Sequence, residues 1–136
     1  MSLREQGYLD VINEHHLEPI VVNKSIKHGE EDALIDELFE KYQGFDGVFV
    51  SGCILANALC KKIGHRGLTA PKDIQIVSYD GDYFGAEEPH ITTLEQPIRD
   101  MAVRCVELLI KLIDKKEKVE MMNKFDCCFI KGNTTK

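Results

Sequence analysis

The stretch PKDIQIVSYDG, residues 71–81, decides the fold of this 136-residue chain. Pro71 marks a turn, residues 74–77 form a mostly apolar run, and the run ends at Asp80 followed by Gly81. A short apolar segment between turn residues is typical of a buried strand in a parallel sheet. Because ligands of open α/β sheets bind beyond the carboxyl ends of the strands, Asp80 is a candidate ligand contact.

Helical and strand patterns alternate along the rest of the chain. Helices are predicted over residues 4–16, 30–42, 53–63 and 97–116, and strands over residues 20–22, 47–51, 71–80, 91–95 and 125–131. Single apolar strands separated by amphipathic helices imply an α/β domain, a Rossmann-like three-layer α/β/α arrangement with a mainly parallel sheet. No repeat or linker divides the chain, so one domain is expected, and residues 132–136 are predicted to be a tail.

Composition narrows the function classes. The net charge of -6 argues against direct nucleic-acid binding, which needs a basic patch. No apolar run is long enough to span a membrane, and no secretory signal is recognisable, so a cytoplasmic protein is expected. The five cysteines are odd in number and form no CxxC pair, which predicts reduced thiols, no metal site and no cofactor.

Three side chains have both a functional and a structural interpretation. Asp80 could accept hydrogen bonds from ligand hydroxyls or simply cap the turn before Gly81. Arg4 could be a solvated surface charge or a forked donor to an oxygen-rich ligand. Cys53 follows Ser51-Gly52 at a strand-to-helix junction, where a helix N-terminus would lower a thiol pKa, so a cysteine-dependent enzyme is one alternative. That alternative needs a paired base, and the five histidines are scattered.

Five segments together resemble the effector-binding domain of LacI/GalR-type bacterial transcription regulators. They are Arg-x-x-Gly-Tyr at residues 4–8, FDGVFVS at 45–51, GLTAPKDIQIVSYDG at 67–81, ITTLEQP at 91–97 and FIKGNTT at 129–135. The resemblance covers nearly the whole chain and implies the carboxyl-terminal lobe of a periplasmic-binding-protein-like fold. The DNA-binding helix-turn-helix and the amino-terminal lobe of such regulators are expected to lie outside residues 1–136. No enzymatic activity is implied.

The resemblance also implies a site. In such regulators a small effector, usually a sugar or sugar phosphate, binds between two lobes and alters operator DNA binding through the amino-terminal module. Arg4 and Asp80 match positions that contact the ligand. Gly52 and Cys53 stand where relatives usually carry an aspartate, and Ile98 matches a cleft position that is often aromatic. The cleft residues implied for this chain are Arg4, Gly52, Cys53, Asp80 and Ile98, with Tyr83 and Phe84 as alternative sources of an aromatic ring.

Two surfaces follow from the same resemblance. In relatives, residues 53–63 and 81–89 would form a homodimer face. The apolar stripe of the helix at residues 97–116, which includes Val103, Val106 and Ile113, would pack on the amino-terminal lobe. In this chain the stripe is expected to fold back on its own lobe or to pair with another copy. The rival function within the same fold is a sugar-binding protein of a transport system.

Overall fold

The computed structural model describes residues 2–80, 90–114 and 122–136. Its elements in chain order are α1 (Leu3–Glu14), α2 (Glu31–Lys41), β1 (Gly47–Val50), α3 (Cys53–His65), β2 (Gln75–Tyr79), β3 (Thr92–Glu95), α4 (Ile98–Asp114) and β4 (Cys128–Ile130). The predicted α/β class is therefore confirmed. None of the described helices is long and apolar enough to cross a membrane.

The four strands form one sheet in the order β1-β2-β3-β4. Strands β1, β2 and β3 run parallel, with Val50 opposite Ser78 and Tyr79 opposite Leu94. Strand β4 is antiparallel to β3 and places Phe129 opposite Leu94. The sheet is thus mainly parallel, as predicted, and the carboxyl ends of β1, β2 and β3 meet at the same edge.

The core lies between this sheet and helix α3. Strand β2 alternates in burial, with Ile76 fully buried and its neighbours Gln75 and Val77 half-buried, as expected for a strand whose two faces differ. Helix α3 presents Ala56, Leu59 and Ile63 from one face, because residues three, four and seven apart share a side of a helix. The buried cluster that results consists of Ile35, Val50, Ala56, Leu59, Ile63, Ile74, Ile76 and Ile91.

The strand predicted over residues 20–22 is wrong. These residues have no ladder partner, and β1 stands at the edge of the sheet. Ile20 and Val48 of β1 both line an open cavity of about 1030 Å³. The backbone N–H of Ile20 donates instead to the Tyr8 hydroxyl at 3.1 Å. Three extended apolar residues do not become a strand unless a neighbouring strand satisfies their backbone groups.

The helix predicted over residues 97–116 is confirmed as α4 for its described part, but the expectation that its stripe folds back on the lobe is wrong. No residue of α4 is buried, and Val103, Val106 and Ile113 are all about half-exposed or more. Arg104 ties the helix to the returning chain by donating from Nε to Asn123 Oδ1 at 2.9 Å. The stripe is therefore not buried by the described residues, and pairing with another copy stays a prediction.

Residues 132–136, predicted to be a tail, are built into the sheet. The Thr134 carbonyl accepts from the Ile76 N–H at 2.9 Å, and the Thr134 hydroxyl donates to the Ile76 carbonyl at 2.7 Å. The same hydroxyl accepts from the Thr92 N–H at 2.9 Å. Thr134 is completely buried, so the chain terminus extends the pairing of β2 and β3 at their amino ends.

Candidate ligand-binding site

Arg4 reaches the carboxyl edge of the sheet from the first turn of α1. The turn is fixed by a capping box in which the Ser2 hydroxyl accepts from the Glu5 N–H at 3.2 Å and the Glu5 carboxylate accepts from the Ser2 N–H. Arg4 Nη1 donates to the Ser51 carbonyl at 3.2 Å, just beyond β1. Its guanidinium carbon lies 3.8 Å from the ring centroid of Tyr79, the last residue of β2. Arg4 therefore bridges the ends of two parallel strands.

Asp80 follows β2 directly and is held across the strand ends. Its backbone φ is 68°, a left-handed conformation that aspartate tolerates better than most residues. Its N–H donates to the Leu94 carbonyl at 2.9 Å. The Gln96 amide, just beyond β3, donates to Asp80 Oδ1 at 2.5 Å. The carboxylate that the sequence places at this edge is thus oriented by the end of the neighbouring strand.

Tyr79 contacts Arg4 through its ring and directly precedes Asp80 in the chain. Its hydroxyl is 3.6 Å from the Cys127 thiol. That hydrogen bond raises the pKa of Tyr79 above its ordinary value, and burial and the Asp80 charge raise the pKa further, while the Arg4 charge lowers it. Both Arg4 and Asp80 therefore act on one phenol group. The phenol stays protonated at neutral pH and remains able to donate a hydrogen bond.

The remaining sequence-predicted residues flank this group or lie outside the described residues. Gly52 is the N-cap of α3 in an extended conformation, and Cys53 is its first residue. Both are half-buried and directly follow Ser51, which Arg4 contacts. Ile98 begins α4 and is 48% exposed. Tyr83 and Phe84 lie outside the described residues, as does the segment 81–89 of the predicted dimer face.

Two residues of the site were missed in the sequence. Gln96 is separated from Asp80 by 16 residues, and its only signal is that it follows a strand predicted to end at the same edge. Tyr79 immediately precedes Asp80, and its aromatic side chain at the strand end was a usable signal. Together Arg4, Tyr79, Asp80 and Gln96 form what we call the edge cluster.

The edge cluster offers hydrogen bonds rather than a reactive pair. A guanidinium, a carboxylate, an amide and a phenol converge within one part of the surface, as in sites that recognise ligands with several hydroxyls. Among the described residues, no group of three or more histidine, cysteine or acidic side chains could hold a metal ion. The cysteines are all free.

Comparisons with known proteins place the chain in context. The family model described as periplasmic binding protein-like domain matches residues 1–135. The ribose operon repressor of Halalkalibacterium halodurans is 35% identical over 114 residues, which cover 83% of this chain and 34% of that protein. The ribose operon repressor of Bacillus subtilis is 29% identical over 135 residues, which cover 98% of this chain and 41% of that protein.

A solved structure agrees in fold. It is a periplasmic binding protein/LacI transcriptional regulator from Alkaliphilus metalliredigens, complexed with D-xylulofuranose. It is 27% identical, with a TM-score of 0.80, and the match covers 98% of this chain and 51% of that chain. The chain therefore spans about half the length of that structure, and 34% and 41% of the two ribose operon repressors.

Proposed function

Because the chain belongs to the periplasmic binding protein-like domain family, we propose that it is the effector-sensing lobe of a LacI/GalR-type transcriptional repressor. The lobe contributes one wall of a cleft that binds a small sugar. The observation that carries the proposal is the edge cluster, where Arg4 contacts the Tyr79 ring and Gln96 orients Asp80 at the carboxyl edge of a parallel sheet. This is the place where open α/β sheets bind ligands.

The charges of the edge cluster favour a neutral sugar over a sugar phosphate. Arg4 supplies one positive charge and Asp80 one negative charge, so the two balance. A phosphate carries nearly two negative charges at neutral pH and would be repelled by Asp80. A pentose instead presents hydroxyls that accept from Arg4 and donate to Asp80. Two relatives are named ribose operon repressors, and a third similar protein holds a five-carbon sugar, which supports this class.

The proposed mechanism is a change in the relation of two lobes. A sugar held between this lobe and an amino-terminal lobe shifts the equilibrium toward the closed state, to the extent that it binds that state more tightly. Closure then moves the DNA-binding modules of the intact regulator and alters operator binding. In this scheme residues 1–136 sense the effector, and operator DNA is contacted by a separate amino-terminal module.

The regulator is favoured over the two rivals. A transport binding protein would share this lobe, but the curated relatives quoted above are named as operon repressors. An enzyme using Cys53 would need a base, and the edge cluster next to Cys53 is built from hydrogen-bonding groups. We therefore assign no catalytic role to the chain and place its work in the cytoplasm, where a repressor meets DNA.

A homodimer through residues 53–63 and 81–89 is also part of the proposal. Within the described part of that face, Ile54 points away from the core and is 54% exposed, which suits an interface. Replacing Ile54 by lysine should weaken self-association in sedimentation velocity, while Glu14→Ala, at an exposed position of α1 outside the proposed face, should not. Equal sedimentation of all three proteins over a wide concentration range would remove this part of the proposal.

The binding proposal is tested by titrating the 136-residue chain with D-ribose and following backbone amide NMR signals. Shifts should concentrate on residues 4, 51–53, 79–80 and 96. Removing one charged hydrogen bond by Arg4→Gln or Asp80→Asn should weaken binding about 10-fold or more. D-ribose 5-phosphate should bind less tightly than D-ribose, and equal or tighter binding of the phosphate would refute the charge argument.

A further inference from the structure

We propose that Tyr79 is a positioning residue for ligand recognition, which acts by holding the Arg4 guanidinium in place. This inference rests on the proposed function, because it concerns the same edge cluster. Tyr79 was not among the residues that the sequence motifs assign to the ligand, and its proposed role is to orient another side chain rather than to stack on a sugar.

The first step of the argument is that Arg4 needs an external support. Helix α1 has no buried residue, so its first turn is not anchored by a packed core. The Arg4 side chain is exposed, and a long exposed arginine samples many rotamers unless contacts restrict it. Two contacts restrict it here, the 3.2 Å hydrogen bond to the Ser51 carbonyl and the 3.8 Å contact with the Tyr79 ring.

The second step is the geometry of these two contacts. The Ser51 carbonyl engages a single N–H of the guanidinium, and one hydrogen bond leaves the plane of the group free to rotate. The Arg4 guanidinium carbon lies over the Tyr79 ring, 3.8 Å from its centroid, and a planar guanidinium at that distance is restrained by stacking on the ring. An arginine held by its face keeps its N–H edge available, which is the edge that recognises ligand oxygens.

The third step is that Tyr79 is itself fixed at both ends. Its backbone is paired in β2 opposite Leu94 of β3. Its hydroxyl lies 3.6 Å from the Cys127 thiol on the chain that returns toward β4. Because these contacts restrict rotation of the Tyr79 ring, the ring supports the Arg4 guanidinium in one position. The face of the Tyr79 ring that Arg4 covers cannot stack on a sugar, so the role of this face is to orient Arg4.

The experiment combines one measurement on the wild-type chain with a double-mutant cycle. The Nε–H signal of Arg4, assigned by its loss in Arg4→Gln, should lie upfield of the signals of solvated arginines and show NOEs to the Tyr79 ring. Tyr79→Phe keeps the ring and should preserve the upfield position. Tyr79→Leu and, as a β-branched second choice, Tyr79→Ile should move the signal to the solvated position.

Affinity for D-ribose then separates positioning from a structural role. Tyr79→Leu should weaken binding about 2- to 30-fold, and Tyr79→Phe should restore most of the affinity. In the Arg4→Gln background, Tyr79→Leu should cause no further loss, since its effect passes through Arg4. Additive losses in the cycle would overturn the inference, and so would an Arg4 signal at the solvated position in the wild type. If D-ribose does not bind to residues 1–136, this lobe alone is not a sufficient site for that sugar, and the Arg4 signal alone decides the role of Tyr79.

Discussion

Replacing Thr134 by valine should destabilise the fold strongly, although the two side chains have nearly the same shape. The Thr134 hydroxyl donates to the Ile76 carbonyl at 2.7 Å and accepts from the Thr92 N–H at 2.9 Å. Thr134 is completely buried, and so is Ile76. Valine would leave the carbonyl and the N–H without these partners in a place that water does not reach.

The magnitude follows from the two orphaned groups. Each buried backbone group that loses its hydrogen bond costs about 1–3 kcal/mol. Two of them sum to about 2–6 kcal/mol, offset slightly because the added methyl group is apolar. A domain of this size has roughly 7–20 kcal/mol of stability in total, so this single change would remove a substantial fraction.

The assay is equilibrium unfolding in urea, followed by far-UV circular dichroism. With a slope of about 2 kcal/mol per molar urea, the midpoint should fall by roughly 1–3 M. Thr134→Ser is the matched control, because it keeps the hydroxyl, loses only a methyl group, and should cost about 1 kcal/mol. If the valine variant is as stable as the serine variant, the hydroxyl does not satisfy the two backbone groups and the reasoning is wrong.

Three further predictions use other described residues. Gly132→Ala should cost about 3 kcal/mol or more, because its Cβ would lie 2.0 Å from the His90 carbonyl oxygen. Gly64→Ala, whose Cβ would have no atom within 4 Å, should stabilise α3 slightly. Urea unfolding compares the two variants, and equal midpoints would contradict the clash at Gly132. Burial raises the pKa of Cys60 to about 11, so iodoacetamide at pH 8 should modify the exposed Cys105 first, and mass spectrometry showing equal rates would count against this. Hydrogen bonds from Lys62 and Arg66 lower the pKa of Asp36 below 3.8, so the stability that Asp36 contributes should be present above that pH and vanish as the pH falls through the lowered value. The wild type should therefore lose more stability between pH 6 and pH 3 than Asp36→Asn does. Equal losses of stability in the two proteins would be contrary evidence.

Local pattern was enough to predict the sheet. The run at residues 74–77 is apolar and ends at turn residues, and it forms β2 in the middle of the described sheet. The helix at residues 53–63 was predicted from its apolar spacing, and that spacing is what packs α3 on the strands. In these elements the buried positions recur with the same spacing as the apolar residues in the sequence, so the predicted and observed elements agree.

Prediction failed where a contact joins distant parts of the chain. Thr134 lies 58 residues from Ile76, and nothing in GNTT indicates that its threonine would replace a strand partner. Residues 20–22 are the opposite case, because they have strand composition but no paired neighbour. In both cases the outcome depends on a partner for the backbone groups, and composition does not identify that partner.

The candidate site was predicted in part, for a similar reason. The sequence placed Asp80 at the sheet edge because strand ends can be located from local pattern, whereas Arg4 was linked to the ligand by the resemblance to the regulator family. It did not indicate that Gln96 would orient Asp80 or that Tyr79 would support Arg4, since both contacts need the register of neighbouring strands. The charged residues of such a site can thus be predicted from sequence, whereas the residues that orient them cannot.

The Asp80 carboxylate is held in a fixed orientation, as a ligand-binding role would require. At φ 68° glycine would fit without steric cost, whereas aspartate costs about 1 kcal/mol. The Asp80 carboxylate accepts from the Gln96 side chain beyond the next strand, which holds it at the sheet edge. A strained backbone whose side chain is oriented by a second residue is the arrangement expected where a charge is kept in place for a ligand.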